Sequence, residues 1–524
     1  MSQARLLDLP RSIRDPVHGT IHLSDEEVEI IDQPLFRRLH RIKQNGLLYH
    51  VFPSSTHTRF EHSLGVLHVA DSAFRSLLRN SYIASNKTVQ AVKERSEKDE
   101  EGFEAEQGQA VAFHDLGNSY LEDLLRIARL AALVHDTGHG PFSHHFDPFA
   151  PRISEAISGI DKDVVPSSFI NHLKSRDEER VEHEDMSCFF FAEIWSSLLD
   201  DNDLDIEEGT HFKVEEVPSL VTAVILGKPQ LVGGQHELYE HIPLLNDLIA
   251  SAPVDVDRMD YLERDSRSAG VTYGLYDRER LLKSFLVYEG SSNTSEEFDA
   301  LRLGIKRSGL RAVENFVQAR FELFTQIYYH KTNRAIQLML GRIAEIADDE
   351  DISVNELDGV PDYLPDLYCE LSDERFLRIL MQRDEGISLP TSMSQDAMEE
   401  LTDLAEKVKR RDLWKRVHEG DPHTNCCVYQ HLRDEYDKLK KDEVSGRATK
   451  DLENGARLLI RAESDVYEAV EHTDWLEESP MMEALGNEEK KIARIYFTGD
   501  DSDIRHEVRK RARTLSHELN RAGQ

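Results

Sequence analysis

The sequence predicts a mostly α-helical protein with minor β structure, on three observations. Apolar residues recur at three- and four-residue spacing along several long segments, the period of one helix face. Helix-starting and helix-stopping residues bracket those segments. Alternating β-branched runs between turn residues are scarce. At 524 residues the chain exceeds the length at which one core usually keeps growing, so two units or one elaborated core are expected.

The elements follow in order. Ser24, with Glu27 three residues on, forms a capping box that opens a short helix. Pro34 starts the next, running through Leu39 and Ile42. Leu64, Leu67, Ala70, Phe74, Leu77 and Leu78 make an apolar stripe just after Glu61–His62. A second stripe, Leu121, Leu124, Leu125, Ala128, Ala131 and Ala132, leads into His135. Between them the segment from Lys93 to Glu106 is dense in charge, and an exposed, partly mobile acidic insertion is expected over about 86–110. A helix fits Met186 to Leu199, before an acidic loop from Asp200 to Glu216. A long helical pattern runs from about Gly309 to Ala347. Gly, Ser and Asn cluster at Glu289–Glu296, which sets a soft boundary between a region 1–290 and a helical region 291–524.

Charge limits the partners. Lys and Arg number 63 against 99 Asp and Glu, a net charge of −36. That argues against a broad nucleic-acid or anionic-membrane surface, since phosphate binding rests on Lys and Arg. A polyanionic substrate would need positive charge gathered locally. The basic tail from Arg505 to Arg513 is read as an amphipathic helix whose cations meet acidic neighbours, in preference to a nucleic-acid element. Cys188, Cys369, Cys426 and Cys427 form no CxxC pattern and fit free thiols in a reducing cytoplasm. No apolar run is long enough to span a bilayer, and the N-terminus lacks a signal core. A cytoplasmic protein without a membrane partner is expected.

Chemistry concentrates in "ARLAALVHDTGHGPFSHHFD", Ala128 to Asp147. Gly138, Gly140 and Pro141 end the helix, so His135 and Asp136 sit at its C-terminal end, where the macrodipole favours a cation. Neighbouring helical residues diverge by about 100°. The pair therefore converges on one ion only if the helix end faces a cleft lined by other ligands. His62, ahead of its apolar stripe, and Asp257, in a segment with Asp255 and Asp260, are candidates. Two imidazoles and two carboxylates suit a divalent ion with open positions better than a closed structural zinc; Mg, Mn, Fe, Ni and Zn all stay open. A lone His-Asp pair is usually a surface or capping pair. The density of His139, His144, His145 and Asp147, with His183 and Glu184 in "VEHEDM", favours the metal.

These segments resemble the HD-domain phosphohydrolases, and within them the deoxynucleoside triphosphate triphosphohydrolases, which include the SAM-and-HD-domain enzyme. The likeness is carried by "IRDPVHGTIHL", "FRRLHRIKQNG", "HTRFEHSLGVLHVA", "LVHDTGHGPFSHHFD", "HEDMS", "DVDRMDYLERDSRSAGV" and "ARFELFTQIYYHKT", in order over most of residues 13 to 335. It implies an HD-domain helical core with a long helical C-terminal extension, part of which, about 309–347, completes a nucleotide site. It implies metal ligands at His62, His135, Asp136 and Asp257, and catalytic groups at His139, His144, Asp147 and His183. It implies phosphate contacts at Arg59, Arg258 and Arg320, and sugar- or base-proximal positions at Gln44, Tyr261, Asp265 and Tyr328. The implied activity is attack of metal-activated water on the α-phosphorus of a nucleoside triphosphate, giving nucleoside and inorganic triphosphate, in a homo-oligomer. Rival expectations are another HD-type phosphodiesterase, nucleotidase or nuclease, and a non-catalytic nucleotide sensor.

Two departures stand out. Asn45 takes a place where some dNTP-specific relatives have leucine near the sugar, so ribonucleotides stay open. Where the SAM-and-HD-domain enzyme recognises an activating nucleotide, this chain has Asp32, Arg37 and His40; the acid matches and the histidine replaces an arginine, leaving a nucleotide effector open. No SAM-type domain is expected ahead of the first motif.

Overall fold

The computed structural model describes residues 6–96, 113–176, 179–200, 206, 208–250, 254–291, 299–420, 460–461, 493–497 and 502–522. Among these the chain is mostly helical, with three small antiparallel sheets. No described helix is long and apolar enough to cross a membrane.

A hairpin of β1 (Arg11–Asp15) and β2 (Gly19–Leu23) pairs Ile13 with Ile21 and feeds α1 (Asp25–Asp32). The expected capping box forms: Ser24 Oγ accepts from Glu27 N at 3.1 Å, and Glu27 Oε2 accepts from Ser24 N at 2.9 Å. Glu27 also takes both Nε and Nη2 of the buried Arg129 at 2.7 Å, so one carboxylate caps a helix and ties it to the core. The helix expected from Pro34 through Ile42 is shorter: α-helical turns at Pro34–Arg37 tighten into a 3-10 segment at Arg38–Arg41.

The two apolar stripes become α2 (Arg59–Ser96) and α3 (Asn118–Val134), which pack on each other. Of the segment expected as an insertion, residues 86–96 continue the α2 backbone, 97–110 lie outside the described residues. The helix expected at Met186 to Leu199 is α4 (His183–Asp200). Helices α5 (Val217–Ile225) and α6 (Ile242–Ala250) are apolar and pack together, and α5 covers α3. Then come α7 (Val256–Ala269), packed on α2, a hairpin of β3 (Phe285–Ser291) and β4 (Asp299–Ile305), and α8 (Leu310–Leu323). The soft boundary near 289–296 thus falls at a hairpin whose two strands belong to one compact unit. The long helix expected from Gly309 to Ala347 is interrupted. After α8 the backbone makes a π-helical turn at Phe324–Tyr328 and restarts as α9 (Lys331–Asp349), where Asn333 Nδ2 donates to the Tyr328 carbonyl at 2.9 Å.

The chain divides into two compact units. One holds residues 1–323 and 347–394, the other 324–346 and 395–524. In the first unit the segment 347–394 includes α10 (Asp373–Leu380), and Phe376 packs against Phe142, Phe146 and Phe149. The second unit contains α11 (Gln395–Arg410), a sheet ordered β5 (Lys415–Gly420), β7 (Ala493–Phe497), β6 (Ile460–Arg461), and α12 (Ser502–Ala522). Val508, Ala512 and Leu515 are the buried face of α12, as expected for an amphipathic helix. Arg505, His506 and Arg509 of this helix join Lys331, Arg411, Lys415 and Arg416 around a cavity of about 490 Å³. Cys188 and Cys369 are free thiols; Cys426 and Cys427 lie outside the described residues.

Candidate metal centre

Three helix ends meet in the first unit. Arg59 and His62 lie in the first turn of α2. Asp255 caps α7, its Oδ1 accepting from Arg258 N at 2.8 Å, which leaves Asp257 in the first turn. His135 follows the last residue of α3. Gly65 permits the approach: a Cβ there would lie 1.9 Å from Asp260 Oδ1 of α7. Gly138 does the same for α4, since its Cβ would lie 2.0 Å from the His183 carbonyl. The turn after Asp136 is clamped: Ser187 Oγ accepts from Gly138 N at 2.8 Å and donates to the His135 carbonyl at 2.6 Å. Buried Arg38 donates to the carbonyls of Thr137 and His139.

The four ligand candidates converge. His62 Nε2 stands 3.0 Å from Asp257 Oδ1 and 3.6 Å from Asp136 Oδ2. His135 Nε2 stands 3.5 Å from Asp136 Oδ1 and 3.9 Å from Asp257 Oδ1. Donors about 2.1 Å from an octahedral ion lie roughly 3 Å apart when adjacent, so this set needs only small adjustment to hold one. The decisive atoms are the two Nε2 nitrogens, both buried without a hydrogen-bond partner. Each ring is fixed from behind. His62 Nδ1 donates to Asp260 Oδ2 at 2.8 Å, and His135 Nδ1 donates to the Ala132 carbonyl at 2.9 Å, which turns both Nε2 lone pairs inward. The residues present fit a divalent ion.

Electrostatics agree. Burial alone would lower His62, but Asp257 and Asp260 raise it to about 10, so the pocket favours positive charge at Nε2. Asp136 is buried, yet Arg59, His135 and His139 hold its carboxyl well below the usual range. Asp257 is lowered against burial by His62 and His135.

Around the cluster lies a histidine group. His139 Nε2 is 3.3 Å from Asp136 Oδ1, its ring stacks on His183 at 3.7 Å, and Asp136, His139 and His183 form a second set of mutually close donors. His183 also faces Glu184, 3.1 Å from Nδ1. Burial pushes His183 down to about 3 and His139 well below its ordinary value, so both rings are neutral. His144 differs: it is exposed, 3.4 Å from Asp147, and that carboxylate raises its pKa.

The remaining expected residues are placed unevenly. Arg59 pairs with Asp136 and donates from Nη2 to Ser143 Oγ at 2.8 Å, so it touches the cluster directly. Arg258 is paired with Asp255. Tyr261 is pushed up by burial, against the charges of Arg320 and Arg258. Asp265 Oδ1 holds His57 Nε2 at 2.7 Å. Gln44 and Asn45 are half-buried, with Gln44 Oε1 and Asn45 Nδ2 unpaired. Tyr328 falls in the second unit, edge-on to Phe324 at 4.8 Å. Arg37 and Asp32 are exposed and 3.8 Å apart, and His40 stacks on Phe60 at 3.6 Å.

Sequence reasoning gave no role to the scaffold behind His62. Asp260 Oδ1 accepts from His18 Nε2 at 2.5 Å, and Arg264 grips Asp260 through Nε at 2.8 Å and Nη2 at 3.0 Å. Arg264 Nη1 then reaches Asp15 Oδ2 at 2.9 Å. Arg278 Nη1 is 2.6 Å from His18 Nδ1; an arginine only donates, so Nδ1 accepts and Nε2 carries the proton toward Asp260. One local signal existed: Asp260 and Arg264 are four apart on a helix, the spacing of an ion pair.

The fold and the centre are those of a mostly helical protein with histidines and aspartates gathered at helix ends. No family model matches the chain. Its relatives include SAMHD1 deoxynucleoside triphosphate triphosphohydrolases, a similarity that supports an HD-domain, dNTPase-like family. The chicken SAMHD1 is 27% identical over 85% of this chain and 61% of its own length, and the human one 27% over 84% and 60%. An uncharacterized protein YwfO of Bacillus subtilis is 26% identical over 80% of this chain and 74% of its own length. This chain thus spans about three-fifths of the SAMHD1 proteins it matches. A hypothetical protein from Aquifex aeolicus shares the fold, with a TM-score of 0.55, 22% identity and coverage of 96% of this chain and 99% of that one.

Proposed function

We propose that this chain hydrolyses deoxynucleoside triphosphates to nucleoside and inorganic triphosphate at the His62, His135, Asp136, Asp257 centre. The observation that carries the proposal is the cluster of His62, His135 and Asp136, with Asp257 Oδ1 3.0 and 3.9 Å from the two imidazoles and both Nε2 atoms buried without a hydrogen-bond partner. A divalent ion held there supplies Lewis acidity and a water of lowered pKa. In the reaction a water oxygen bonds to the α-phosphorus, and the bond from that phosphorus to the 5′ oxygen breaks. The 5′ oxygen takes a proton and leaves as nucleoside; the triphosphate stays intact.

The chain's own groups divide this work by their environments. His144, raised by Asp147, is the group suited to give the proton to the 5′ oxygen. His139 and His183, neutral and stacked, bind phosphate oxygen by hydrogen bonds instead of charge. Arg59, Arg258 and Arg320 offset the charge of the triphosphate. Gln44, Tyr261 and Asp265 contact sugar and base, with Asn45 leaving ribonucleotides open. The proposal extends to a cytoplasmic homo-oligomer and leaves a nucleotide effector open.

Purified protein incubated with each of eight nucleoside triphosphates and several divalent ions, followed by chromatography of products, tests it. Release of tripolyphosphate with nucleoside supports the proposal. A nucleoside monophosphate product identifies another HD-type hydrolase, and binding without turnover identifies a sensor.

A further inference from the structure

Asp373 opens α10, in a stretch far along the chain from the metal centre but within the same compact unit. It is buried, 7% exposed, and among the described residues no cation lies within ion-pairing distance of its carboxylate. Instead it accepts two backbone N–H groups from separate loops. Oδ2 takes Lys43 N at 2.7 Å, and Oδ1 takes Phe142 N at 2.8 Å. Each donor immediately precedes a residue of the candidate site's edge: Lys43 precedes Gln44, and Phe142 precedes Ser143.

Both loops need holding. Phe142 and Ser143 stand at φ +62° and +58°, left-handed backbone that non-glycine residues seldom adopt in succession. Ser143 Oγ then does two things. It accepts from Arg59 Nη2 at 2.8 Å and approaches the Gln44 carbonyl at 3.4 Å. Arg59 in turn pairs with Asp136. A single carboxylate therefore closes a ring that runs through the Lys43–Gln44 loop, Ser143, Arg59 and a metal-ligand candidate.

We propose that Asp373 is a positioning residue that fixes the Gln44 loop and the Phe142–Ser143 turn against each other, so that Arg59 and Gln44 are set for the nucleotide. The positioning of the nucleotide rests on the triphosphohydrolase reading; the tie between the two loops does not. An apolar residue would pack here without the cost of a buried charge. Burial pushes the Asp373 carboxyl up to about 6, against the two backbone donors and the charges of Arg59 and Lys43. The two backbone N–H donors favour the ionised form, one on each carboxylate oxygen.

The test uses the full chain with Asp373→Asn and Asp373→Ala. Hydrogen–deuterium exchange is followed in the peptides covering 42–46 and 138–146, together with bound metal, thermal midpoint and steady-state kinetics on a deoxynucleoside triphosphate. Expected for Asp373→Asn is exchange at least tenfold faster in both segments and unchanged in α3. Bound metal and thermal midpoint stay near wild type, while kcat/KM falls about 10- to 100-fold, the size of effect that small misplacements produce. Unchanged exchange in the two segments would overturn the proposal. So would activity that falls only in step with bound metal or with the thermal midpoint. If Asp373→Ala does not fold, Asp373→Asn decides. If the wild-type protein releases no tripolyphosphate, the hydrolase reading fails, and the exchange data alone decide the tie between the loops.

Discussion

The centre in the first unit and the basic cavity in the second differ in the charges that line them. In the centre every charge is answered. Asp136 has Arg59, Asp260 has Arg264 and His18, and Arg258 has Asp255, while the Nε2 atoms of His62 and His135 are among the buried nitrogens without a hydrogen-bond partner. In the cavity Lys331, Arg411, Lys415, Arg416, Arg505 and Arg509 face one space, and no carboxylate is among the described residues lining it. A compensated interior selects a ligand by geometry, and the Nε2 pair is set to take a metal ion. A space lined by cations selects by charge, and in a chain of net charge −36 it is a local reversal of sign. The first region should therefore respond steeply to single substitutions and little to salt, the second the reverse.

The sharpest break is at the ligands. His135→Ala or Asp136→Ala should remove bound metal and turnover together, a loss of at least 10⁴-fold by the measure of catalytic groups that act as one unit. Metal analysis beside the activity assay checks it, and a metal-free variant with full activity would show that these side chains hold nothing the reaction needs. His144→Gln should cost about 10²- to 10⁴-fold in kcat with metal retained, the range for loss of a general acid. Asp147→Asn tests the same pair by pH. Asp147 raises the His144 pKa, and the acid works only when protonated, so activity should fall as pH rises through that value. Removing the carboxylate lowers the value, and the alkaline limb should move to lower pH; a limb that stays put would assign it to another group.

How legible this centre was depends on what kind of signal each residue leaves. His62, His135, Asp136 and Asp257 stand beside helix ends that the sequence marks with glycines, proline and apolar stripes, so their neighbourhood could be inferred. His18, Asp15 and Asp373 could not be tied to it. Asp260 meets His18 across 242 residues, and Asp373 meets Lys43 across 330, and separations of that size are fixed by tertiary packing alone. The long helix expected from Gly309 failed for a related reason: its apolar period continues through Phe324–Tyr328, and the period does not reveal where backbone hydrogen bonds shift to a π turn.

That hidden scaffold yields the next effect. Asp260→Asn keeps the shape but weakens the grip on His62 Nδ1 and on Arg264, a side chain only 1% exposed. Metal affinity should fall about 10- to 100-fold, the usual penalty for losing a partner behind a metal-bound histidine. Titration with a competing chelator measures it. Asp260→Ala is the harsher variant, because it leaves Arg264 buried with Asp15 as its remaining carboxylate, at a cost of about 3–5 kcal/mol. An Asp260→Asn protein with wild-type affinity would mean that packing, not this hydrogen bond, sets the His62 ring.

The smallest expected effect belongs to the cavity. Six cations share the work there, so removing one should matter little, and removing it should matter less as salt rises. Arg509→Ala should weaken binding of inorganic tripolyphosphate only a few-fold at low ionic strength. At about 0.15 M salt, where the screening length is about 8 Å, the difference should shrink further. Calorimetry on the metal-depleted protein isolates this binding from the centre in the first unit. A salt-independent loss of tenfold or more would show that Arg509 makes a directed contact, and that the cavity, like the centre, recognises its ligand by shape.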